Sequence, residues 1–470
     1  MSESNSEDEQ NESISWRAFL SSSYFPSLAL VCLAVWLHAA DALLVATMLP
    51  SIVGELGGSG LVAWNVTLYL TTSILAGTAS ALITIKFGLK VPMSLAAIVF
   101  GLGCLISAVA PSMAVVLLGR AIQGFGGGAL VSMSFIATRI LFPSNALPRA
   151  LAAVSTLWGA SALLGPLIGG IFVEFFSWRW GFGFFAIQAF ALSVWITFTR
   201  IQSVPTQSKT DTTFPWGRLG IISIGIMCIA YAGVNVALFR SSAFFLVGLA
   251  FLIVSVYLDS RTRQSQILPA SPFDPRHATG AALLLVLCMC VATVTNSVFG
   301  TLLLTKIYGI SALTAGYVLA ASALGWTMAA FTLSGSPQHK DARNILLGIF
   351  IVVLSLIGFA ITYPTGPVWV ITLFSFAGGA GFGMAWAFIL RKSTSGVTVE
   401  ESQRITNAIT TVQRVGYALG AALIGIVANA LGFENMASAE EAGYIARWLF
   451  ISCLPIAIVG LVATIMFVKR

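Results

Sequence analysis

Fourteen apolar runs, each close to or above the roughly 20 residues a helix needs to cross a hydrocarbon core, constrain this chain more than any other feature. They are Phe25–Ile52, Leu61–Ile85, Val91–Ala110, Ser112–Ala137, Leu151–Val173, Gly181–Thr199, Leu219–Leu238, Ser241–Leu258, Thr279–Leu304, Ile310–Leu333, Ile345–Thr362, Val368–Leu390, Ile405–Leu431 and Trp448–Val468. In lipid every backbone polar group must be bonded within its own segment or in a closed barrel. Barrel strands would read as short alternating segments. These runs are long and do not alternate, so the chain is read as an all-α integral membrane protein with about fourteen transmembrane helices.

Composition points the same way. Of 470 residues, 57% are hydrophobic and only 9% charged, against roughly 25% charged in a soluble domain. That excludes a soluble enzyme, a disordered protein and a disulfide scaffold. The net charge of +7 does not indicate nucleic acid, because the 24 Lys and Arg residues are spread over short loops and form no single basic face. Cys32, Cys104, Cys228, Cys288, Cys290 and Cys453 all fall inside apolar runs, with no CxxC pair and no histidine cluster. They read as small packing residues, and no metal or other cofactor is expected.

Residues 1–16 form an acidic tail, with Glu3, Glu7, Asp8, Glu9 and Glu12, and are expected to be disordered. The tail lacks the basic start of a secretory signal, so the first run is expected to remain as a helix. With the N-terminus inside, eighteen Lys and Arg residues fall on the inner side and only Arg179, Arg240, Lys306 and Arg447 on the outer. This positive-inside bias places both termini in the cytoplasm, with the chain in a plasma or bacterial inner membrane. The polar stretches Arg200–Arg218 and Asp259–His277 bracket the middle pair of runs. The expected layout is an N-terminal six-helix bundle over 17–200, a linker with two extra helices over 201–277, and a C-terminal six-helix bundle over 278–470. Such internal repeats are how secondary transporters are built. Glycine-dense segments in the fourth helix of each bundle, RAIQGFGGGALVS from Arg120 and FAGGAGFGMAW from Phe376, support the repeat.

Only Asp41, Arg120 and Arg414 carry charge well inside the runs. A charge at mid-bilayer costs at least about 2.5–3.5 kcal/mol, so such residues normally face a cavity or a partner. Burial favours the neutral form of a carboxyl and a nearby guanidinium favours the charged form. Asp41, balanced between them, is a candidate to take up and release a proton. His38 lies three residues earlier on the same helical face and is a candidate relay. Arg120, with Gln123, could join a hydrogen-bond network, bind an anionic group or act on Asp41. Arg414, in TVQRVGYALGAALIG, could play a matching part in the second bundle. Helix five reads LWGASALLGPLIGGIF, where Gly165, Gly169 and Gly170 allow close packing and Pro166 removes a backbone donor. That segment is a candidate conformational pivot.

These motifs together resemble the major facilitator superfamily, and within it the fourteen-helix drug:proton antiporter branch. ADALLVATMLPSI over 40–52 is similar to the branch's helix-one motif, and GRAIQGFGGG over 119–128 to its helix-four motif. LLGPLIGG over 163–170 is similar to the helix-five antiporter motif, and SWRWGFGFF over 177–185 to the start of helix six. The resemblance implies two bundles rocking about a central site, with Asp41 as the helix-one acid, Arg120 as the helix-four arginine, and Gly165 and Pro166 in the pivot. The loop between helices two and three departs from the family pattern. It reads ASALITIKFGLK, with Ala81 where a glycine is usual and Ile85 where the family has an aspartate. In the family that loop helps latch one conformation.

Few buried charges argue against a strongly ionic substrate. Trp36, Trp64, Trp158, Trp326 and Trp386 lie within the runs, mostly away from the interfacial belt, and are candidates to stack a flat ring. The expected partners are a small, neutral or weakly charged aromatic molecule, protons and the bilayer. No oligomer is required. Proton-coupled efflux is the leading reading. Import of an aromatic nutrient such as a flavin-type vitamin (riboflavin) and a non-pumping sensor are the alternatives. No nucleophile–base pair, metal set or phosphate loop suggests an enzyme.

Overall fold

The computed structural model describes residues 24–143, 145–199, 215–262, 266–269 and 271–470. The acidic tail over 1–16 and most of the stretch Arg200–Arg218 lie outside these residues. Among the described residues the chain forms fourteen α-helices and no strand. They are α1 (Phe25–Leu56), α2 (Val62–Phe87), α3 (Lys90–Ala108), α4 (Met113–Leu141), α5 (Leu147–Phe175), α6 (Trp178–Phe198) and α7 (Trp216–Ala232). The series continues with α8 (Leu238–Arg261), α9 (Ala278–Tyr308), α10 (Ala312–Leu333), α11 (Asp341–Thr365), α12 (Val368–Ser393), α13 (Val399–Ala430) and α14 (Ala439–Val468). Thirteen stretches are long and apolar enough to cross a membrane; α7, with 17 residues, is the short one.

Each expected run has its helix, and most helices outrun the apolar core through their caps. α13 starts six residues before Ile405, where the Thr398 hydroxyl accepts from the Glu401 amide. α14 starts at Ala439 because Ser438 and Glu441 form a reciprocal capping box. The boundary between the seventh and eighth runs needs correction. The apolar pattern continues to Leu238, yet α7 ends at Ala232 and α8 begins at Leu238. The intervening turn uses Gly233 and Asn235, the latter at φ 47°, and its flanking Val234 and Val236 hide it from a hydropathy reading.

Two large apolar cores form, one within α1–α6 and one mainly within α9–α14. Each is built on helix backbones in direct contact. A Cβ on Gly124 would lie 2.2 Å from the Tyr69 carbonyl oxygen of α2, one on Gly128 2.3 Å from that of Ser73, and one on Gly126 2.4 Å from the Phe100 amide of α3. The second core repeats the pattern at the same spacing. A Cβ on Gly379 would lie 1.8 Å from the Ser322 carbonyl oxygen of α10, one on Gly383 2.4 Å from that of Trp326, and one on Gly381 2.4 Å from that of Gly348 in α11. A second pair of glycines repeats too. Gly165 and Gly169 of α5 face α1, as Gly416 and Gly420 of α13 face α9. The internal repeat is therefore visible as recurring backbone contacts. The α7–α8 hairpin stands beside the seam, where Ile229 and Ala230 cluster with Ala422 of α13 and Trp64 of α2.

Gly379→Ala should lower the midpoint of thermal unfolding of the purified protein, by a destabilisation of at least about 1–3 kcal/mol for an overpacked site. Gly183→Ala, where an added methyl meets nothing within 4 Å, should leave the midpoint unchanged.

Candidate functional site

Asp41 sits near the midpoint of α1, fully buried, and faces α2 and α4. The glycine contacts described above press α4 against α2 and bring Arg120 to the same depth. Arg120 Nη1 donates to Asp41 Oδ2 at 2.5 Å and to Gln123 Oε1 at 2.9 Å. Its Nε donates to Asn65 Oδ1 at 2.7 Å, and its guanidinium lies 4.1 Å from the centroid of the Tyr69 ring. Gln123 in turn donates to Cys104 Sγ at 2.8 Å. The guanidinium is thus held by three acceptors and one aromatic face. One atom is left over: Asp41 Oδ1 is buried and has no hydrogen-bond partner among the described residues.

Tyr69 links this pair to His38. Its hydroxyl is 2.8 Å from His38 Nδ1 and the two rings stack at 5.4 Å. The ring of Trp158 from α5 lies nearly perpendicular to that of His38, with centroids 6.1 Å apart. The structure therefore brings together Asp41, His38, Arg120, Gln123 and Trp158. It adds Asn65, Tyr69 and Cys104, which sequence reasoning passed over. Asn65 is an uncharged polar residue inside an apolar run, and that was its one available signal.

Arg414 enters from the other half. It lies near the midpoint of α13, partly buried, and a Cβ on Gly77 of α2 would be 3.1 Å from its Nη1. Among the described residues it has no salt bridge and no side-chain hydrogen bond. The remaining tryptophans stand elsewhere. Trp36 donates to Gln188 at 3.0 Å and stacks on Phe185 within the first half. Trp64 packs beside the hairpin, while Trp326, Phe382 and Trp386 form one aromatic cluster between α10 and α12.

The helix-five glycines divide their contacts. Gly165 and Gly169 lie against Ala40, Leu43, Leu44 and Thr47, directly behind Asp41, whereas Gly170 meets Leu313 of α10. A Cβ on Gly316 of α10 would lie 3.0 Å from Pro166 Cβ and 2.5 Å from Thr47 Oγ1. The helix runs unbroken through Pro166. At this end, which carries the α1–α2 turn, side-chain hydrogen bonds also tie the halves together. Thr301 donates to the Ala46 carbonyl at 2.6 Å, Asn429 to that of Gly60 at 2.8 Å, and Ser59 to that of Glu434 at 3.3 Å. Toward the opposite end, beyond a contact between Gly159 and Thr327, α5 exposes Ser155 and Thr156 and α10 exposes Met328, Phe331 and Thr332.

The loop between α2 and α3 reduces to Gly88, at φ 73°, and Leu89. Its counterpart in the second half keeps an acid. Asp341, the first residue of α11, pairs with Arg391 in the last turn of α12, which also donates to the Ser336 carbonyl at 2.9 Å. In the first half the corresponding helix starts with Lys90, and the last turn of α4 carries Arg139.

A model of the Major Facilitator Superfamily matches residues 31–421. The chain belongs to the Major Facilitator Superfamily. It is a multi-pass membrane transporter and not an enzyme. A Mycobacterium tuberculosis protein named "Probable multidrug-efflux transporter" is 28% identical, covering 97% of this chain and 96% of its own length. The multidrug efflux pump SdrM of Staphylococcus aureus is 26% identical over 38% of this chain and 41% of that protein. Among solved structures, a POT family transporter in complex with 5-aminolevulinic acid superposes with a TM-score of 0.66 at 15% identity, covering 94% of this chain and 96% of that one. A D-xylose–proton symporter gives 0.61 at 13% identity, covering 92% and 97%. At these identities the structural neighbours establish the fold.

Removing Arg120 alone strands a buried carboxyl. Arg120→Ala should destabilise the purified protein by about 3–5 kcal/mol, the range for breaking a buried ion pair. The double variant Asp41→Asn/Arg120→Gln, which leaves no charge behind, should recover more than half of that loss in thermal unfolding.

Proposed function

We propose that this superfamily member exports small organic molecules, neutral or singly charged and with an aromatic body, in exchange for protons carried by Asp41. The observation that supports this reading best is the Asp41–Arg120 pair at mid-membrane depth. One carboxylate oxygen is held by the guanidinium and the other is buried without a partner among the described residues. A proton has a vacant acceptor there, and its arrival weakens the hold on Arg120. Arg120 still has Asn65, Gln123 and the Tyr69 face, so the charge change does not leave it unsupported. Export is favoured over import by the name of the mycobacterial relative, which spans nearly the whole chain.

With the termini placed in the cytoplasm by the loop charges, the tied end of the seam is the outer one. The conformation is then inward-facing, ready to collect substrate from the cell interior. Alternating access requires the outer contacts at Gly316, Gly170 and Thr301 to open.

The test is lumenal pH in proteoliposomes while flat aromatic drugs and vitamins are added outside. Antiport predicts that entry of a transported compound alkalinises the lumen. Acidification would mean symport and would replace export by nutrient uptake. Asp41→Asn should abolish proton movement and concentrative transport while leaving folding intact; full concentrative transport by that variant would remove Asp41 from the coupling step.

Gly316→Leu supplies a second check. The added side chain collides with Thr47 and Pro166, so the variant should shift toward outward-open states. Labelling of a cysteine introduced at Ala46 by an impermeant reagent should rise at least severalfold over the same cysteine in the Gly316 background.

A further inference from the structure

Arg414 raises a question of charge balance that the coupling pair does not answer. An arginine in the middle of a membrane helix needs a counter-ion, a hydrogen-bonding cage or water. Of the seventeen acidic residues in the chain, Asp41 alone lies in the middle of an apolar run. Every other acidic residue the structure describes sits in a loop or near a helix end. Asp41 is already engaged by Arg120. Among the described residues no carboxylate is therefore available to Arg414 at its own depth in this conformation. Its guanidinium projects from the second half to Gly77 of the first, where a Cβ would also lie 3.3 Å from the carbonyl oxygen of Gly128, the neighbour of Gly127, which lies against His38 and Tyr69. The site has one negative and two positive side chains, and the surplus positive charge faces the seam between the halves.

We propose that Arg414 receives an acidic group of the substrate, a carboxylate or an ionised phenol, while the aromatic body lies toward Trp158 and His38. This deepens the transport reading above by assigning the substrate class. A guanidinium offers two parallel donors to a carboxylate, a geometry a neutral amide cannot match. The partly buried position supplies a setting in which such a bond is stronger than in water. A singly charged acid is also the largest ionic load that the seam can neutralise, with one unpaired cation. Exchange of such an acid for one proton moves twice the charge per turnover that exchange of its neutral amide does.

The test uses matched pairs of bicyclic aromatic acids and their carboxamides, such as naphthoates with naphthamides and quinoline carboxylates with their amides. Binding to the full-length protein in lipid nanodiscs is read by quenching of tryptophan fluorescence. At least one acid should bind about ten- to a hundredfold more tightly than its amide, the span of one charged hydrogen-bonded contact. Arg414→Gln should bring that acid to the level of its amide and leave the amide unchanged, and Arg414→Lys should fall between. In proteoliposomes an imposed membrane potential should accelerate the acid more than the amide. If no acid in the panel outbinds its amide, or if Arg414→Gln weakens both alike, the proposal is wrong and Arg414 serves packing or the conformational cycle. The acid preference of the unsubstituted protein is itself a test that needs no variant to fold. A protein that prefers acids yet moves no protons would sink the coupling reading and leave the anion site standing.

Discussion

The backbone contact of α4 with α2 and α3 is the constraint on which the rest depends. Lipid offers no hydrophobic drive between helices, so association in a membrane relies on close packing and on polar bonds. Gly124, Gly126 and Gly128 remove the side chains that would hold α4 away, and carbonyl oxygens of the neighbouring helices fill the space. That closeness fixes the depth and direction of Arg120, one turn before Gly124. The guanidinium then meets Asp41, Asn65, Gln123 and Tyr69 without a strained reach. A cation that would be costly in hydrocarbon is held by three acceptors and one aromatic face, and among the described residues the buried atom of the cluster left without a partner is Asp41 Oδ1.

The two halves share this scaffold but not its chemistry. The glycines of α12 and α13 reproduce the contacts of α4 and α5. At the position corresponding to Arg120, four residues before the first of the three glycines, α12 has Ser375. Ser375 accepts from Asn296 of α9 at 3.4 Å, and Asn296 accepts from the Tyr363 hydroxyl at 2.6 Å. The second half therefore carries a neutral network where the first carries an ion pair. The asymmetry reverses at the helix ends, where Asp341 and Arg391 pair in the second half and the first has Lys90 and Arg139. A buried ion pair in the first half and a charged clasp at the helix ends of the second set the two repeats apart.

Much of this was legible in the sequence because the membrane is so restrictive a solvent. Apolar length announces each span, and a charge within a span announces a partner. Asp41 and Arg120 could be grouped on those grounds, with Gln123 added by the helix-four motif, and the structure joins them. Asn65 and Tyr69 could not, since neither carries a charge and neither lies in a segment that a motif singled out. The tryptophans show the opposite failure. Five looked equivalent, yet the ring of Trp36 is occupied by Gln188 and Phe185, while Trp158 alone reaches His38. Which face of a helix meets the seam depends on helix packing, and a list of aromatic positions does not contain it. The turn at Gly233 was hidden for a related reason: its flanking residues are as apolar as the helices it separates.

The inserted hairpin has its place in the same logic. Asn429 of α13 donates to the Gly60 carbonyl between α1 and α2 and to the Gly233 carbonyl at the end of α7, each at 2.8 Å. One amide thus joins the first half, the second half and the hairpin at the closed end of the seam. A Cβ on Gly233 would lie 3.1 Å from the Ile426 amide, so α7 is seated on α13 by backbone contact, and it packs against α2 at Trp64. Opening that end must break the Gly60 bond, and the closer seat on α13 favours the hairpin moving with the second half. The short α7, with too few residues to span alone, is consistent with a helix whose stability comes from that seat. The hairpin then acts as an extension of α13, and α13 is also the helix that carries Arg414 into the seam.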